Sequence, residues 1–262
     1  DPKAYFTGPS IEGLNLYKPN IDHERAILYT KPKVIILGSS RADLGLDPLD
    51  PSWNHASVFN LGVGGANIFD SYHYLEHTNR QSKVETVYLM VDFFMFNSSR
   101  KPYAKQEYDF LDSIQLNEPF LNSKIISSLI SFQTLKDSFA TLGNQNSSSS
   151  VKINYGGRFD DPSPPTYAKL RSTESAFFNV HYKNFLYQDM LEGFKKIVEY
   201  SYLHNIELVI GISPMHSRLL EVIAASDLWE EFEDWKKQLT EILDFQSKSH
   251  LKPNFLLFQC RK

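Results

Sequence analysis

Two adjacent serines at the end of an apolar run are the first residues of this chain that suggest chemistry. In KVIILGSSRADLGLD, residues 33–47, Ser39 and Ser40 follow an aliphatic run and a glycine. A serine hydroxyl at a strand-to-helix turn lies at the edge of a sheet, where a neighbouring base can make it a nucleophile. Serine is also a common helix cap. The motif therefore predicts either a nucleophile or a cap.

Three further apolar runs also end in residues that could take part in catalysis or binding. NLGVGGAN, residues 60–67, holds glycines whose backbone N–H groups can approach an oxyanion or a phosphate. After the third run, Asp92 can orient a base or bind substrate, or accept only backbone amides, and Asn97 can donate to an oxyanion. His216 follows the fourth run, either as the base candidate or as a loop histidine at a helix start.

The runs before these residues have the composition of buried strands. Continuous apolar, β-branched and aromatic segments predict strands at 33–38, 56–63, 84–94 and 206–213, with a weaker fifth at 254–259. Apolar residues at helical spacing predict helices over 67–78, 184–203 and 227–245. The alternation predicts a three-layer α/β/α sandwich with a five-stranded, mainly parallel, flavodoxin-like sheet. Ligands bind at the carboxyl ends of such strands, so one edge should hold all four motifs.

One long segment interrupts the alternation of strands and helices. Between Asn97 and His181 no clear strand is predicted, and residues 98–180 are interpreted as a helical and loop insertion after the third strand. Within it, 122–144 predicts one or two helices, 144–150 a polar loop, and 160–167 an extended proline-rich stretch. The whole chain, 1–262, is predicted to be a single domain around one sheet.

The order of the motifs resembles the SGNH/GDSL-type esterase and acyltransferase superfamily. The chain also resembles a subgroup of bacterial envelope SGNH-like proteins. This resemblance lies in the combination of GSSR, NLGVGGA, LMVDFFMFN, ISPMH and LWEEFEDWKKQL. The resemblance implies that Ser40 is the nucleophile, with Ser39 at the usual position of an Asp, and that Gly65 is an oxyanion donor. It also implies ester chemistry on a carbohydrate or cell-envelope polymer at a periplasmic or other extracytoplasmic location.

Two blocks depart from the family pattern. The third block is normally Gly-x-Asn-Asp, but here Asp92 is nearest the asparagine position and Asn97 lies five residues later. The family's Asp-x-x-His block follows the fifth strand, where this chain has only CRK. Either His216 substitutes, in a dyad with Ser40 steadied by Asp92, or the chain stops before its base, or it binds without catalysing. We expect a fragment or processed form, because the chain also begins with Asp1 rather than Met.

The composition excludes several classes of protein. A net charge of −4 gives no basic excess for nucleic acid, and no apolar run of 18 residues predicts a transmembrane segment, although a longer parent could carry an anchor. No G-x-x-x-x-G-K-[ST] loop is present, and NLGVGGAN does not match G-x-G-x-x-G. His73 and His77 have zinc-like spacing, but Tyr74 replaces the expected glutamate and no third ligand follows. We therefore predict no metal and no cofactor.

The predicted function is an SGNH-like esterase or O-acyltransferase that uses Ser40, with Arg41 and Arg218 as substrate contacts or loop anchors. One alternative is a non-catalytic carbohydrate-binding or accessory module of the same fold. Another is a flavodoxin-like phosphate or nucleotide binder that uses GSSR and NLGVGGAN as anion loops. The sequence leaves open the acyl group, its acceptor and the oligomeric state.

Overall fold

Parallel strands form the centre of the molecule. The computed structural model describes residues 27, 30–53, 57–99, 152–153, 159–160, 166–249 and 255–259. In chain order, the strands are β1 (Val34–Gly38), β2 (Val58–Asn60), β3 (Thr86–Val91), β4 (Lys152–Ile153), β5 (Phe159–Asp160), β6 (Glu207–Ile212) and β7 (Phe255–Gln259). Strands β2-β1-β3-β6 pair in parallel, and the backbone of β7 pairs in parallel beside β6. Strands β4 and β5 form a separate antiparallel pair.

Six helices accompany these strands in the described part of the chain. They are α1 (Ser40–Gly45), α2 (Ile68–Ser82), α3 (Tyr167–Ala176), α4 (Leu191–Leu203), α5 (Ser217–Ala225) and α6 (Trp229–Ser249). A single turn of π-helix, Phe177–His181, continues α3, and a 3-10 turn, Phe93–Phe96, follows β3. Asn67 and Asp70 form a capping box that fixes the start of α2.

Alternate residues of the strands face two hydrophobic clusters. On β1, Ile35 and Leu37 belong to the larger cluster, which includes apolar residues of α2, α4, α5 and α6. Ile36 belongs to a smaller cluster with Ala42 of α1 and Val58. Because successive strand residues point to opposite faces, both faces of the sheet carry helices. The prediction of an α/β fold with a parallel sheet is therefore confirmed.

Three local predictions differ from the structure. The helix predicted over 184–203 begins only at Leu191, because Asn184 has a positive φ of 51° and a 3-10 turn occupies Gln188–Met190. The segment 98–180 was expected to lack strands, yet it holds β4 and β5, which are two residues long and so leave no alternating pattern. The predicted strand at 84–94 ends at Val91 and turns into the 3-10 segment.

Other parts of the prediction lie outside the described residues. These are the helices of 122–144, the polar loop of 144–150 and most of the proline-rich stretch of 160–167. The interpretation of 98–180 as an insertion within one domain stays a prediction. In the part of the chain that the structure describes, no helix combines the length and the apolar character needed to cross a bilayer.

The close approach of β1 to β3 depends on Gly38. Its φ is 147°, and a Cβ there would lie 2.5 Å from the Met90 carbonyl oxygen and 2.9 Å from Ala42 Cβ. We expect Gly38→Ala to lower the free energy of unfolding by about 2–4 kcal/mol, from backbone strain plus overpacking. Gly45→Ala is the matched control, because a Cβ there meets no atom within 4 Å. Urea denaturation of both variants measures the difference, and equal effects would contradict this account of Gly38.

Candidate active site

Three buried polar residues follow three neighbouring strands at the carboxyl edge of the sheet. Ser39 follows β1, Asp92 follows β3 and Ser213 follows β6, and each is at most 3% exposed. The Ser213 N–H donates to the Val91 carbonyl, so the β3–β6 pairing continues one residue beyond the strands. Asp92 and Ser213 are therefore neighbours across the sheet. This edge is where an open parallel sheet binds ligands.

The Asp92 carboxylate is the centre of a hydrogen-bond network. Ser39 Oγ donates to Asp92 Oδ2 at 2.5 Å, and Arg41 Nη1 donates to Asp92 Oδ1 in an ion pair. Ser39 Oγ also accepts from the Arg41 N–H at 3.1 Å, which makes Ser39 the N-cap of α1. A buried carboxylate needs such partners because desolvation of an unpaired charge costs several kcal/mol. Ser39 therefore has a structural role, because it stabilises the turn between β1 and α1.

Two aromatic rings flank the Arg41 guanidinium. Its Cζ lies 5.7 Å from the ring centre of Phe94 and 5.2 Å from that of Phe177. The side chain is 18% exposed, and a cation in such surroundings gains from the ring quadrupoles. Arg41 Nη2 is buried and has no hydrogen-bond partner among the described residues. Nη1 is thus committed to Asp92, and Nη2 is a donor without an acceptor in the described part of the chain.

The π-helical turn after α3 brings Phe177, His181 and Tyr182 over this edge. The His181 ring contacts those of Phe94 and Phe177, with centroids 4.9 and 4.6 Å apart respectively. Asn97 holds the turn, because its Nδ2 donates to the His181 carbonyl at 2.7 Å and to the Lys183 carbonyl at 3.4 Å. Single π-turns often occur at functional sites. Asn97, predicted as an oxyanion donor, uses its amide here as a brace between backbone segments.

Tyr182 is a buried hydroxyl donor beside the Asp92 network. The residue is 4% exposed, and its hydroxyl has no hydrogen-bond partner in the described parts of the chain. Burial raises the pKa of Tyr182 well above its ordinary value; the positive charge of Arg41 opposes this rise in pKa and the negative charge of Asp92 adds to it. Both charges therefore act on this hydroxyl, which stays protonated at physiological pH.

Ser40 differs from Ser39 in its surroundings. It is the first residue of α1, it is partly exposed, and its side chain makes no hydrogen bond with a described residue. The glycine loop lies close by, since a Cβ on Gly64 would be 3.9 Å from Ser40 Cβ. Gly65, the predicted oxyanion donor, follows with a positive φ of 75° that favours glycine. The structure therefore places the predicted nucleophile and the glycine loop side by side.

His216, the predicted base, is not hydrogen-bonded to Ser40. It is the exposed N-cap of α5, and its Nδ1 accepts from the Arg218 N–H at 3.2 Å. In a neutral imidazole, an accepting Nδ1 places the proton on Nε2, so neither nitrogen offers a lone pair to a serine hydroxyl. The structure brings Ser40, Arg41 and Asp92 to one edge. His216 instead caps the N-terminus of α5.

Arg218, the second predicted substrate contact, is committed to an ion pair. Its Nε and Nη2 donate to the two carboxylate oxygens of Glu174, the second bond at 2.9 Å, and its guanidinium lies over the Tyr167 ring. The hydrogen bond to Glu174 is the main cause of a raised pKa of Arg218. The pair joins α5 to α3. The side chain therefore acts as the loop anchor that the sequence offered as the alternative to substrate binding.

Sequence reasoning missed four residues of this edge. Phe177, His181 and Tyr182 stand at the end of the predicted insertion or directly after it, and Ser213 is the last residue of the strand predicted at 206–213. The one available signal was aromatic density, in SAFFNVHY (residues 175–182), which is equally typical of a core. As for metals, the described residues contain no group of three or more His, Cys, Asp or Glu side chains able to hold an ion.

Comparison with known proteins yields no relative. No protein-family model, no curated protein and no solved structure matches this chain. The function must therefore be argued from the site itself.

Removal of the Asp92 charge tests the network. We expect Asp92→Asn to lower the free energy of unfolding by about 3 kcal/mol, because it leaves the Arg41 guanidinium largely buried without its counter-ion. Glu76→Gln is the control, since its i,i+4 pair with Arg80 is half-exposed and should contribute less than about 0.5 kcal/mol. Chemical denaturation measures both, and a small effect of Asp92→Asn would contradict the network's structural role.

The raised pKa of Tyr182 leads us to expect a change of stability at alkaline pH. Its pKa is raised in the folded state, so above about pH 10 the unfolded state loses the phenolic proton first. The corresponding stability is complete below pH 10 and falls as pH rises further. We expect Tyr182→Phe to lose stability less steeply above pH 10 than the wild type, in thermal melts at pH 8–11. Tyr202→Phe, at an exposed position, is the control and should follow the wild-type curve.

Proposed function

We propose that this chain is an SGNH-type serine esterase or O-acyltransferase that acts on acyl esters of a carbohydrate or cell-envelope polymer outside the cytoplasm, with Ser40 as its nucleophile. The observation that carries the proposal is the contrast between the two serines. Ser39 is buried and bonded to Asp92, whereas Ser40 is partly exposed with no hydrogen bond to a described residue. A nucleophile needs an accessible hydroxyl that a base can reach, and a hydroxyl already committed to a structural hydrogen bond does not offer one.

The buried network supports this role by fixing the turn that carries Ser40. Ser39 on one side and Arg41 on the other are both held by Asp92, so the intervening residue has little conformational freedom. Preorganisation of the reacting group removes part of the entropic barrier of a bimolecular step. The glycine loop lies beside Ser40, since a Cβ on Gly64 would be 3.9 Å from Ser40 Cβ.

The chemistry would proceed in two transfers. A bond forms from Ser40 Oγ to the acyl carbon, the ester C–O bond breaks, and the serine proton passes by way of a base to the departing alcohol oxygen. Water or a sugar hydroxyl then attacks the acyl-enzyme, its oxygen takes the acyl group, and its proton returns to Ser40. His216 acts as that base only if its imidazole leaves the α5 cap.

A second candidate is binding without turnover, in an accessory module that recognises the same polymer. The engagement of His216 Nδ1 by the Arg218 N–H favours it, because no described imidazole is hydrogen-bonded to Ser40. The two candidates differ in one property, the reactivity of the Ser40 hydroxyl.

Labelling with a fluorophosphonate probe separates the two candidates. We expect the wild type to gain one phosphonyl group, located at Ser40 by peptide mass spectrometry, and Ser40→Ala to gain none. Ser217→Ala is the matched control, because Ser217 is likewise the first residue of a helix and is exposed. It should label as the wild type does. His216→Ala should also abolish labelling if this imidazole moves to serve as the base. No labelling of the folded wild type would favour the binding module.

A further inference from the structure

A serine nucleophile needs hydrogen-bond donors for the carbonyl oxygen of its substrate, and the side chain expected to supply one is engaged elsewhere. Asn97 Nδ2 donates to two backbone carbonyls, of His181 and Lys183. Asp92, at the family's asparagine position, is a charge-paired acceptor. Neither can donate to an acyl oxygen. The donor on the β3 side of Ser40 must therefore come from another residue.

Two buried donors at this edge lack an acceptor among the described residues. They are Arg41 Nη2 and the Tyr182 hydroxyl. Buried donors are nearly always paired, so two of them together indicate an acceptor that comes from outside the described chain. Ser213 Oγ, next to Asp92 across the sheet, is a third buried hydroxyl in the same condition.

The two residues that carry these donors, Arg41 and Tyr182, both lie beside one aromatic ring. The Arg41 Cζ lies 5.2 Å from the Phe177 ring centre, and the Tyr182 ring lies 5.6 Å from the same centre. Arg41 is also the residue next to Ser40 in sequence, with its side chain directed towards Asp92 at the end of β3. Arg41 thus shares the turn of the nucleophile, and Tyr182 follows the π-helical turn at the same edge.

The net charge of the site favours a neutral acceptor for these two donors. Asp92 already neutralises Arg41, so the donor set carries no net charge, and a neutral carbonyl oxygen enters at a lower desolvation cost than a carboxylate. A developing oxyanion gains more from a fixed guanidinium and a neutral phenol than a ground-state carbonyl does, because the donors need no reorganisation.

We infer that Arg41 Nη2 and the Tyr182 hydroxyl are the side-chain donors that hold the acyl carbonyl oxygen of the substrate, in place of Asn97. The inference rests on the proposed function and deepens it, since it names the side chains that contact the acyl group of the ester. Arg41 and Tyr182 thereby become catalytic residues, whereas Asp92 is a positioning residue that fixes the orientation of Arg41.

The rate of phosphonylation tests the inference, because the P=O oxygen of a fluorophosphonate occupies the place of the acyl oxygen. We expect Tyr182→Phe to lower the second-order labelling rate at Ser40 by about 100- to 1,000-fold, as for loss of one oxyanion donor. Arg41→Lys should have a similar effect, because one ammonium can keep the Asp92 pair but cannot replace the second nitrogen. Tyr187→Phe, which removes a buried-ring hydroxyl bonded to Asp234 instead, should label within about twofold of the wild type.

A binding measurement keeps the inference testable if Ser40 proves unreactive. Saturation-transfer NMR with methyl acetate on the Ser40→Ala protein should show transfer to the acetyl methyl. That transfer should be lost in Ser40→Ala/Tyr182→Phe and retained in Ser40→Ala/Tyr187→Phe. If the wild type does not label yet this pattern appears, the acyl site stands and the esterase proposal fails. If Tyr182→Phe labels at the wild-type rate, or the transfer persists without the hydroxyl, the inference is overturned.

Discussion

The buried carboxylate of Asp92 is the constraint around which the carboxyl edge of the sheet is arranged. With a side chain inaccessible to solvent, it requires a donor on each oxygen, and it obtains them from Ser39 and Arg41, about 50 residues earlier in the chain. Those two residues flank Ser40. The same interaction that compensates a buried charge therefore fixes the turn at the end of β1, commits one serine to structure, and leaves the other at the surface.

The second layer of the edge is built by the π-helical turn after α3. Phe177 begins this turn and lies beside Arg41, and Tyr182 follows the turn. Asn97 ties the turn to the 3-10 segment after β3. The aromatic rings there lower the local polarity, which strengthens the ion pair and makes an unpaired donor costly. A turn from a segment without regular strands thus completes a site whose base is the parallel sheet.

The sequence sufficed for the frame of the molecule and for the edge where polar residues meet. Strands at 33–38 and 206–213 were predictable because both faces of each are buried, and Ser40 and Asp92 because carboxyl ends of parallel strands share an edge. The roles of single side chains were not predictable. Which serine caps the helix depends on the dihedral angles of one turn. The role of Asn97 depends on a carbonyl 84 residues away, and that of Arg218 depends on Glu174, 44 residues away. Such partners are set by tertiary packing, which periodicity does not report.

The parallel arrangement also governs the order in which the molecule can assemble. Thr86 and Glu207 are neighbours across β3 and β6 but 121 residues apart in the chain, whereas Arg41 and Asp92 are separated by 51. Closing the longer loop costs more entropy, so the contacts between β3 and β6 form later than those between β1 and β3. Strands β1, β2 and β3 can therefore associate before β6 has left the ribosome. We expect the Asp92 ion pair to form in a half-built sheet open to water, and the π-helical turn, translated after it, to dehydrate the pair. We therefore expect the carboxyl edge around Asp92 to be among the last parts of the fold to mature.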